Sequence, residues 1–428
     1  MNNEPNIDQV RADLTENIKS YFKLLGPWGG GERWKLPLSI PSYGWEEVSE
    51  VMDSLLSGRV TMGNKVQQFE SMFAEYIGVK HAVMVNSGSS ANLCALTALA
   101  HPTRQKPIKP GDEVIVPSVP WSTTVYPIFQ MGAIPVFVDV TANNFSVDVE
   151  QLRAAVTPKT KAVMVVHLLG NPAPMGAIME VAREFGLYVV EDSCEAHGAM
   201  IDGKKVGSFG DLSTFSFFFS HHISTIEGGM VLTDDDELAD LVRAIRAHGW
   251  VREMEKRDEV SASHPNIDSR FLFVTSGYNV RPTDLQGAFG IHQLQRLEPF
   301  IEQRRETTRY WIENLASYSD YFEMPTEPAN ARCVWFAFPL MLKPEAPFQR
   351  AALAEFLEGR GIETRPVMAG NMAEQPVMRL YEHRKAGDLN VARWIDDRGI
   401  LIGNHHGVGQ AERELVVEAI RDFVASEV

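Results

Sequence analysis

Polar segments that follow apolar runs hold the residue types that could do chemistry in this chain. The segment Asn86–Asn92 (NSGSSAN) offers hydroxyls and backbone amides, which bind a phosphate group well where a helix begins. A plain cap between a strand and a helix would have the same sequence. Asp192, in the segment EDS, is a carboxylate that needs a partner, which could be a protonated heterocycle nitrogen, an arginine or a backbone cap.

Aromatic and imidazole rings are the second kind of candidate. Trp121, in PSVPWSTT, could stack on a flat ring, although a tryptophan near a sheet edge more often packs in a core. For His167, His197 and His248 a structural or hydrogen-bonding role is the more common one. Two adjacent histidines, His221 and His222, lie in the aromatic segment FSFFFSHHISTIEGG. None of these residues identifies a reaction by itself.

The length and the charge exclude several classes of protein. The chain has 428 residues, 44% apolar and 22% charged, so it can bury the cores of two or three domains and is neither disordered nor fibrous. Its 40 Lys+Arg against 56 Asp+Glu give a formal charge of −16, which argues against nonspecific binding to nucleic acid or an anionic membrane. The N-terminus lacks the pattern of a signal peptide, and no apolar run approaches the ~18 residues of a membrane span. We therefore expect a soluble, cytoplasmic protein with no membrane partner.

Short apolar runs alternate with helical patterns between about residues 80 and 235. Because the runs lack strict polar alternation, they predict strands covered on both faces, as in the mostly parallel sheet of an α/β fold. In such sheets ligands bind beyond the carboxyl ends of the strands, where the candidate polar residues stand. The runs are VKHAVMVNSGSS, DEVIVPS, IPVFVDV, TKAVMVVHLLG, LYVVEDS, LSTFSFFFS and GGMVLTD, with helices predicted at Asn92–Ala100 and Met175–Phe185.

The second half of the chain has a different pattern. A long helical segment, Pro282–Leu315, precedes mixed strands and helices that predict a smaller C-terminal α+β domain. We predict an N-terminal arm over residues 1–43, a large domain over 44–300 and a small domain over 301–428.

Several of these segments, taken together and in order, resemble the fold type I pyridoxal phosphate proteins of the sugar aminotransferase (DegT/DnrJ/EryC1/StrS) family. The resemblance extends over nearly the whole chain. It implies an aminotransferase-like fold with a large cofactor domain and a smaller C-terminal domain. The matching segments are NSGSSAN, GDEVIVPS, IPVFVDV, KAVMVVHLLGN, EDS, GSFGDLSTFSF, HHISTIEGG, GYNVRPTDLQGA and ETRP.

The residue at position 221 separates this chain from most of that family. The family places its Schiff-base lysine six residues before the Glu of EGG, and His221 stands there, with no lysine between Lys205 and Lys256. The pattern resembles the coenzyme-B6-dependent 3-dehydratases of nucleotide-linked 4-keto-6-deoxyhexoses, which replace the lysine with histidine. Histidine cannot hold the cofactor covalently but can move a proton near neutral pH. The resemblance implies noncovalent pyridoxamine 5′-phosphate or pyridoxal 5′-phosphate, with His221 as the catalytic base.

The cysteine count selects between two versions of this chemistry. One version needs a partner reductase and an iron–sulfur cluster held by four cysteines. Cys94, Cys194 and Cys333 are too few, they form no CxxC pair, and residues 249–277, where the resemblance would put the cluster, contain none. We therefore predict no iron–sulfur cluster, no metal site and a reductase-independent enzyme of deoxysugar biosynthesis, as for lipopolysaccharide O-antigen. Glutamate would be the amino donor that regenerates the cofactor, with release of ammonia.

The remaining roles are those that the resemblance implies. It assigns the cofactor phosphate to Gly88, Ser89 and Ser216, ring stacking to Trp121, the ring nitrogen to Asp192 and the ring hydroxyl side to Glu195. Asn279 would reach the cofactor of a neighbouring subunit, which implies a homodimer with shared active sites. Arg281 could pair with the carboxylate of the amino donor, although a surface ion pair is a nearly equal alternative. For His222 we expect a supporting or substrate-contacting role. Ser220 is a pocket candidate because Phe219-Ser220 stands where a Pro-Ala pair usually precedes the histidines.

Two other functions compete with the dehydratase. A sugar aminotransferase that works without the lysine would make a 4-amino sugar and consume glutamate without releasing ammonia. A catalytically silent cofactor-binding protein could serve as a partner subunit or sensor. The presence of His221, Asp192, Ser216 and Asn279 together argues against the silent protein, because it would need none of them in register. The nucleotide and the hexose remain open.

Overall fold

Helices and strands alternate through the first half of the computed structural model, which describes residues 6–26, 28 and 33–427. The helices are α1 (Ile7–Leu25), α2 (Trp45–Leu56), α3 (Asn64–Ile77), α4 (Gly88–Leu99), α5 (Ser122–Gln130), α6 (Val149–Ala155), α7 (Met175–Phe185), α8 (Asp236–Arg246), α9 (Arg257–Ala262), α10 (Asp284–Leu315), α11 (Arg350–Gly359), α12 (Asn390–Arg398) and α13 (Gln410–Glu427). The strands are β1 (His81–Val85), β2 (Glu113–Pro117), β3 (Ile134–Val138), β4 (Thr160–Val166), β5 (Tyr188–Asp192), β6 (Met200–Ile201), β7 (Lys204–Lys205), β8 (Leu212–Ser216), β9 (Gly229–Thr233), β10 (Phe322–Glu323), β11 (Ala331–Arg332), β12 (Ala337–Leu342), β13 (Thr364–Pro366), β14 (Arg384–Lys385) and β15 (Gly399–Gly403).

The large sheet has eight strands in the order β1-β9-β8-β5-β4-β2-β3-β14. Every neighbouring pair is parallel except the two that involve β9, so β9 alone runs against the others. The predicted mostly parallel α/β sheet is thereby confirmed. One predicted strand is shorter than expected: LSTFSFFFS leaves the sheet at Ser216, and the rest forms the loop that holds the two histidines.

Both faces of the large sheet are buried, as the unbroken apolar runs predict. Alternate residues of β2 and β4 pack on opposite faces of the sheet. Val114 and Met164 pack in the core with helices α4, α5 and α8. Ile115 and Val163 pack in the core with helices α6 and α7. All four side chains have no exposed surface. Burying each such side chain contributes about 1.5–3 kcal/mol, so the sheet is a rigid base for the loops at its edge.

The C-terminal part has its own core around a second sheet. Strands β10, β12, β15 and β13 form an antiparallel sheet, and Trp311, Phe338 and Phe423 pack between it and helices α10 and α13. Helix α10 begins with a capping box in which Thr283 and Gln286 exchange hydrogen bonds, and it continues without a break through residue 300. The domain bounds at residues 43 and 300 therefore stay predictions. Within the described ranges, none of the helices is both long and apolar enough to cross a bilayer.

Candidate active site

Strand register brings the predicted polar segments to one edge of the large sheet. Gly229, at the start of β9, pairs with both Val85 at the end of β1 and Ser216 at the end of β8, and Thr214 of β8 pairs with Asp192 of β5. Beyond this edge lies a cavity of about 380 Å³. Eight predicted site residues line it: Gly88, Ser89, Trp121, Asp192, Glu195, Ser216, Ser220 and His221.

One end of the cavity suits a phosphate group. The Ser87 side chain caps α4 by accepting a hydrogen bond from the Ser90 amide, and Gly88 and Ser89 form the first turn of that helix. An added Cβ at Gly88 would lie 2.5 Å from the Ser216 Cβ and 2.9 Å from its hydroxyl, so only glycine leaves room there. Free amides, a helix dipole and two serine hydroxyls around this space are the groups that bind phosphate.

Asp192 presents a carboxylate to the cavity and is held in place by hydrogen bonds. It is 5% exposed, and one oxygen accepts hydrogen bonds from Asn92 Nδ2 (2.9 Å) and Thr124 Oγ1 (2.7 Å). The Cys194 amide donates to the other oxygen at 3.2 Å. A carboxylate held in this way can pair with a protonated ring nitrogen. The partner that the sequence left open is therefore a set of neutral donors, with no arginine among them.

Trp121 forms part of the cavity wall. It is the residue before α5 and keeps 57% of its surface exposed, so it does not pack in the core. An exposed ring on a cavity wall offers its face to a flat ligand. Together with the phosphate end and Asp192, it fits a phosphorylated, protonated aromatic ring such as the predicted cofactor.

Glu195 adds a carboxyl group that the site keeps neutral. Burial, helped by the negative charge of Asp192, raises its pKa to about 8 despite the hydrogen bond that the Leu169 amide donates at 2.7 Å. At neutral pH this carboxyl therefore holds a proton inside the cavity. The neighbouring Cys194 thiol also lines the cavity, and burial raises its pKa well above the ordinary value.

His221 lies on a loop that leaves β8 and returns to β9. The loop is closed by hydrogen bonds between Phe217 and Gly228 and between Thr225 and Phe217, both at 2.9 Å. The His221 ring packs against Phe336 with ring centres 5.2 Å apart. Burial, and secondly the charge of Arg304, lowers its pKa to about 3, so the imidazole is neutral at physiological pH.

Three of the predicted site residues, His222, Asn279 and Arg281, do not line this cavity. His222 is wholly buried, and its Nε2 donates to the Val334 carbonyl at 3.1 Å, so of its two expected roles the supporting one fits this position. Asn279 is exposed and accepts a hydrogen bond from Arg281 Nε at 3.2 Å. His167 has the structural role expected of it, since it bonds to the buried Glu191 at 3.0 Å.

The cavity also contains residues that the sequence did not reveal. Asn92 and Thr124 hold Asp192, and a signal for Asn92 existed, because a buried amide within an apolar helix needs a partner. Phe336 and Met368 come from the C-terminal part and have no local signal. In the part of the chain that the structure describes, no group of three His, Cys, Asp or Glu side chains is placed to hold a metal ion.

Comparison with known proteins gives consistent matches. The model of the DegT/DnrJ/EryC1/StrS aminotransferase family matches residues 41–421. A GDP-4-keto-6-deoxy-D-mannose 3-dehydratase from Yersinia pseudotuberculosis is 41% identical over 372 residues, 86% of this chain and 94% of that protein. The crystal structure of a GDP-4-keto-6-deoxymannose-3-dehydratase variant, with histidine changed to asparagine and GDP-perosamine bound, has a TM-score of 0.86 and 38% identity, covering 90% of this chain and 100% of that one. Another, with a trapped PLP-glutamate geminal diamine, has a TM-score of 0.84 and 37% identity, covering 90% and 99%.

Proposed function

The chain belongs to the DegT/DnrJ/EryC1/StrS aminotransferase family, and we propose that it is a coenzyme-B6-dependent lyase that removes the C3 hydroxyl of a nucleotide-linked 4-keto-6-deoxyhexose. The observation that carries this proposal is His221, which stands at the position of the family's lysine and lines the cavity. No lysine is among the described residues that line it. Because the relatives named above act on or bind GDP-linked sugars, GDP-4-keto-6-deoxy-D-mannose is the first substrate to test.

The cavity residues would bind the cofactor without a covalent bond. Gly88, Ser89 and Ser216 would hold its phosphate, Trp121 would stack on its ring, and Asp192 would keep the ring nitrogen protonated. When bound, pyridoxamine 5′-phosphate supplies an amine that condenses with a ketone and a ring that accepts an electron pair. The protonated Glu195 would donate a hydrogen bond on the ring-hydroxyl side.

His221 would move the proton that decides the reaction. Its Nδ1 is buried and has no hydrogen-bond partner among the described residues, so we assign the proton transfer to Nε2. The neutral Nε2 would take the proton from the cofactor C4′ carbon. The electron pair that expels the C3 hydroxyl would be supplied by the bound cofactor. A lysine there would also release an amino sugar by exchange with its own amine, and histidine cannot perform that exchange.

The net reaction consumes glutamate and releases ammonia. The sugar loses one oxygen to become a 3-deoxy-4-keto sugar, and glutamate becomes 2-oxoglutarate, so atoms and electrons balance without an external reductant. The structure with PLP-glutamate supports glutamate as donor. The three cysteines support the reductase-independent route, since four thiolates would be needed for a cluster.

Asn279 and Arg281 would serve the active site of a second copy. Both lie outside the cavity of their own chain, they are hydrogen-bonded to each other, and Asn279 is exposed. These features support the homodimer with shared sites: Asn279 would reach the partner's cofactor phosphate, and Arg281 would meet the carboxylate of the amino donor.

The test is incubation with pyridoxamine 5′-phosphate, glutamate and GDP-, CDP- and dTDP-linked 4-keto-6-deoxyhexoses, followed by mass spectrometry and an ammonia assay. We expect loss of one oxygen together with ammonia. An amino sugar formed without ammonia would identify the protein as an aminotransferase. If no substrate is turned over, the catalytically silent cofactor-binding protein would be the remaining hypothesis.

A second experiment tests the role of His221. His221→Asn should abolish C4′ proton exchange while the protein still binds pyridoxal phosphate. Borohydride reduction of the loaded wild-type protein should leave no pyridoxyl group on the chain, and a labelled lysine would refute noncovalent binding.

A further inference from the structure

Residues 333–336, here called the 333–336 crossing, are held by an unusual set of side chains. The four consecutive carbonyls each accept one side-chain hydrogen bond, from Arg305, His222, Asn404 and Arg304 in that order, at 2.7, 3.1, 3.0 and 2.8 Å. On the other side, the amides of Val334 and Phe336 donate to Gly170 and Leu169, both at 2.9 Å.

The backbone at this crossing is strained on both sides. Trp335 has a φ of 46° and Leu169 a φ of 55°, and both values are unfavourable for a residue with a side chain. Such conformations persist where surrounding contacts over-determine them, and they concentrate at functional sites. Here the strained pair adjoins Glu195 and His221, because the Leu169 amide donates to Glu195 and the Phe336 ring contacts His221.

His222 joins the two partners of the His221–Phe336 contact. It is the chain neighbour of His221, and it is bonded to the Val334 carbonyl two residues before Phe336. A carbonyl only accepts, so the His222 Nε2 carries the hydrogen and donates it. The ring has no exposed surface, and burial lowers its pKa well below the ordinary value, which keeps this neutral donor form.

We propose that His222 is a positioning residue for His221, because its single hydrogen bond ties the histidine loop to the 333–336 crossing and so fixes the imidazole against Phe336. This inference rests on the proposed function for its kinetic consequence only. The Arg304 guanidinium secures the far end of the crossing: it is 3% exposed, has no carboxylate partner among the described residues, and donates to the Phe336 and Asn404 carbonyls.

The test compares two changes at one position. His222→Gln keeps an N–H donor at about the distance of Nε2, whereas His222→Met keeps volume and loses the donor. Arg305→Met is the matched control, since it removes a bond to the same crossing at Cys333, away from the histidine loop. Thermal unfolding of each variant reports whether it folds.

The first measurement needs neither cofactor nor substrate. In cofactor-free protein labelled with ¹³C-histidine, the His221 ring signal is identified by its loss in His221→Asn. It should be single and sharp in wild type, His222→Gln and Arg305→Met, and broadened or split in His222→Met. If His222→Met does not fold, Phe336→Leu, which removes the ring on the other side of the contact, should give the same broadening. A sharp, unshifted signal in the folded variant would overturn the proposal.

The second measurement is turnover. We expect kcat of His222→Met to fall about 10- to 100-fold, the range produced by misplacing a reacting group by about 1 Å, with KM within about threefold of wild type. His222→Gln should recover most of this loss. An unchanged kcat in His222→Met would refute the positioning role, whereas an inactive wild type would refute the proposed function and leave the NMR result to decide the positioning.

Discussion

Replacing Glu195 with glutamine should remove a pH-dependent loss of stability from the cofactor-free protein. The carboxyl has a pKa of about 8 in the folded chain against an ordinary value of 4.5. The folded state therefore binds this proton more tightly than the unfolded state. Stability accordingly falls as the pH rises from 4.5 to 8.

The magnitude follows from the two pKa values. Each unit of pKa difference corresponds to about 1.36 kcal/mol, and integrating the linkage relation from about pH 5 to pH 8 gives roughly 3.5 kcal/mol. Glu195→Gln keeps an oxygen that can accept the Leu169 amide hydrogen but cannot ionise. The difference in unfolding free energy between this variant and wild type should therefore grow by roughly 3.5 kcal/mol over that range.

The assay is urea unfolding of both proteins at several pH values, followed by circular dichroism. We compare the unfolding free energies of wild type and variant at each pH. Their difference cancels the contribution of the buried histidines, which titrate in both proteins. Glu374→Gln is the control. The hydrogen bond from Lys385 lowers the pKa of that exposed carboxyl. The difference in unfolding free energy between wild type and Glu374→Gln should therefore stay constant above about pH 5. A wild-type to Glu195→Gln difference that does not change with pH would refute a neutral Glu195.

Three further predictions concern residues that line the proposed cofactor site. Asp192→Asn should weaken binding of pyridoxal phosphate about 10- to 100-fold, the usual value of a hydrogen bond to a charged group, as measured by absorbance titration; unchanged affinity would remove Asp192 as the ring-nitrogen partner. Gly88→Ala should lower the affinity for pyridoxal phosphate at least tenfold, because the new methyl group meets Ser216 at 2.5 Å, whereas the control Gly176→Ala has open space and should bind normally. Cys194 should react only slowly with iodoacetamide at about pH 8, because burial raises its pKa, and rapid labelling detected by mass spectrometry would contradict this.

The sequence was sufficient to predict that the polar residues at the ends of the apolar runs lie together in one site. Gly88, Asp192 and Ser216 each follow or end a buried strand, and the carboxyl ends of parallel strands meet at one edge of a sheet. Their meeting around a single cavity therefore follows from local pattern and general topology. The histidine at position 221, where the family has a lysine, indicated which type of reaction to expect.

What escaped prediction depends on contacts between distant parts of the chain. Phe336 reaches His221 only because the C-terminal part crosses back over the large sheet. In an irregular loop no periodicity tells which of two adjacent histidines faces inward, so the direction of His222 toward Val334 was not derivable. The partners of Asp192 come from two helices, α4 and α5, whose relative position only the assembled core defines.

Strand β14 has a consequence for how the chain folds during synthesis. Its two residues, Arg384 and Lys385, pair in parallel with Val136 and Phe137 of β3, and Arg384 also forms an ion pair with Glu113. The backbone edge of β3 is thus covered by a segment made about 250 residues later. Until the ribosome has released that segment, the nascent large domain exposes an open, apolar strand edge. Truncations before residue 384 should therefore aggregate even though they contain every residue proposed to bind the cofactor.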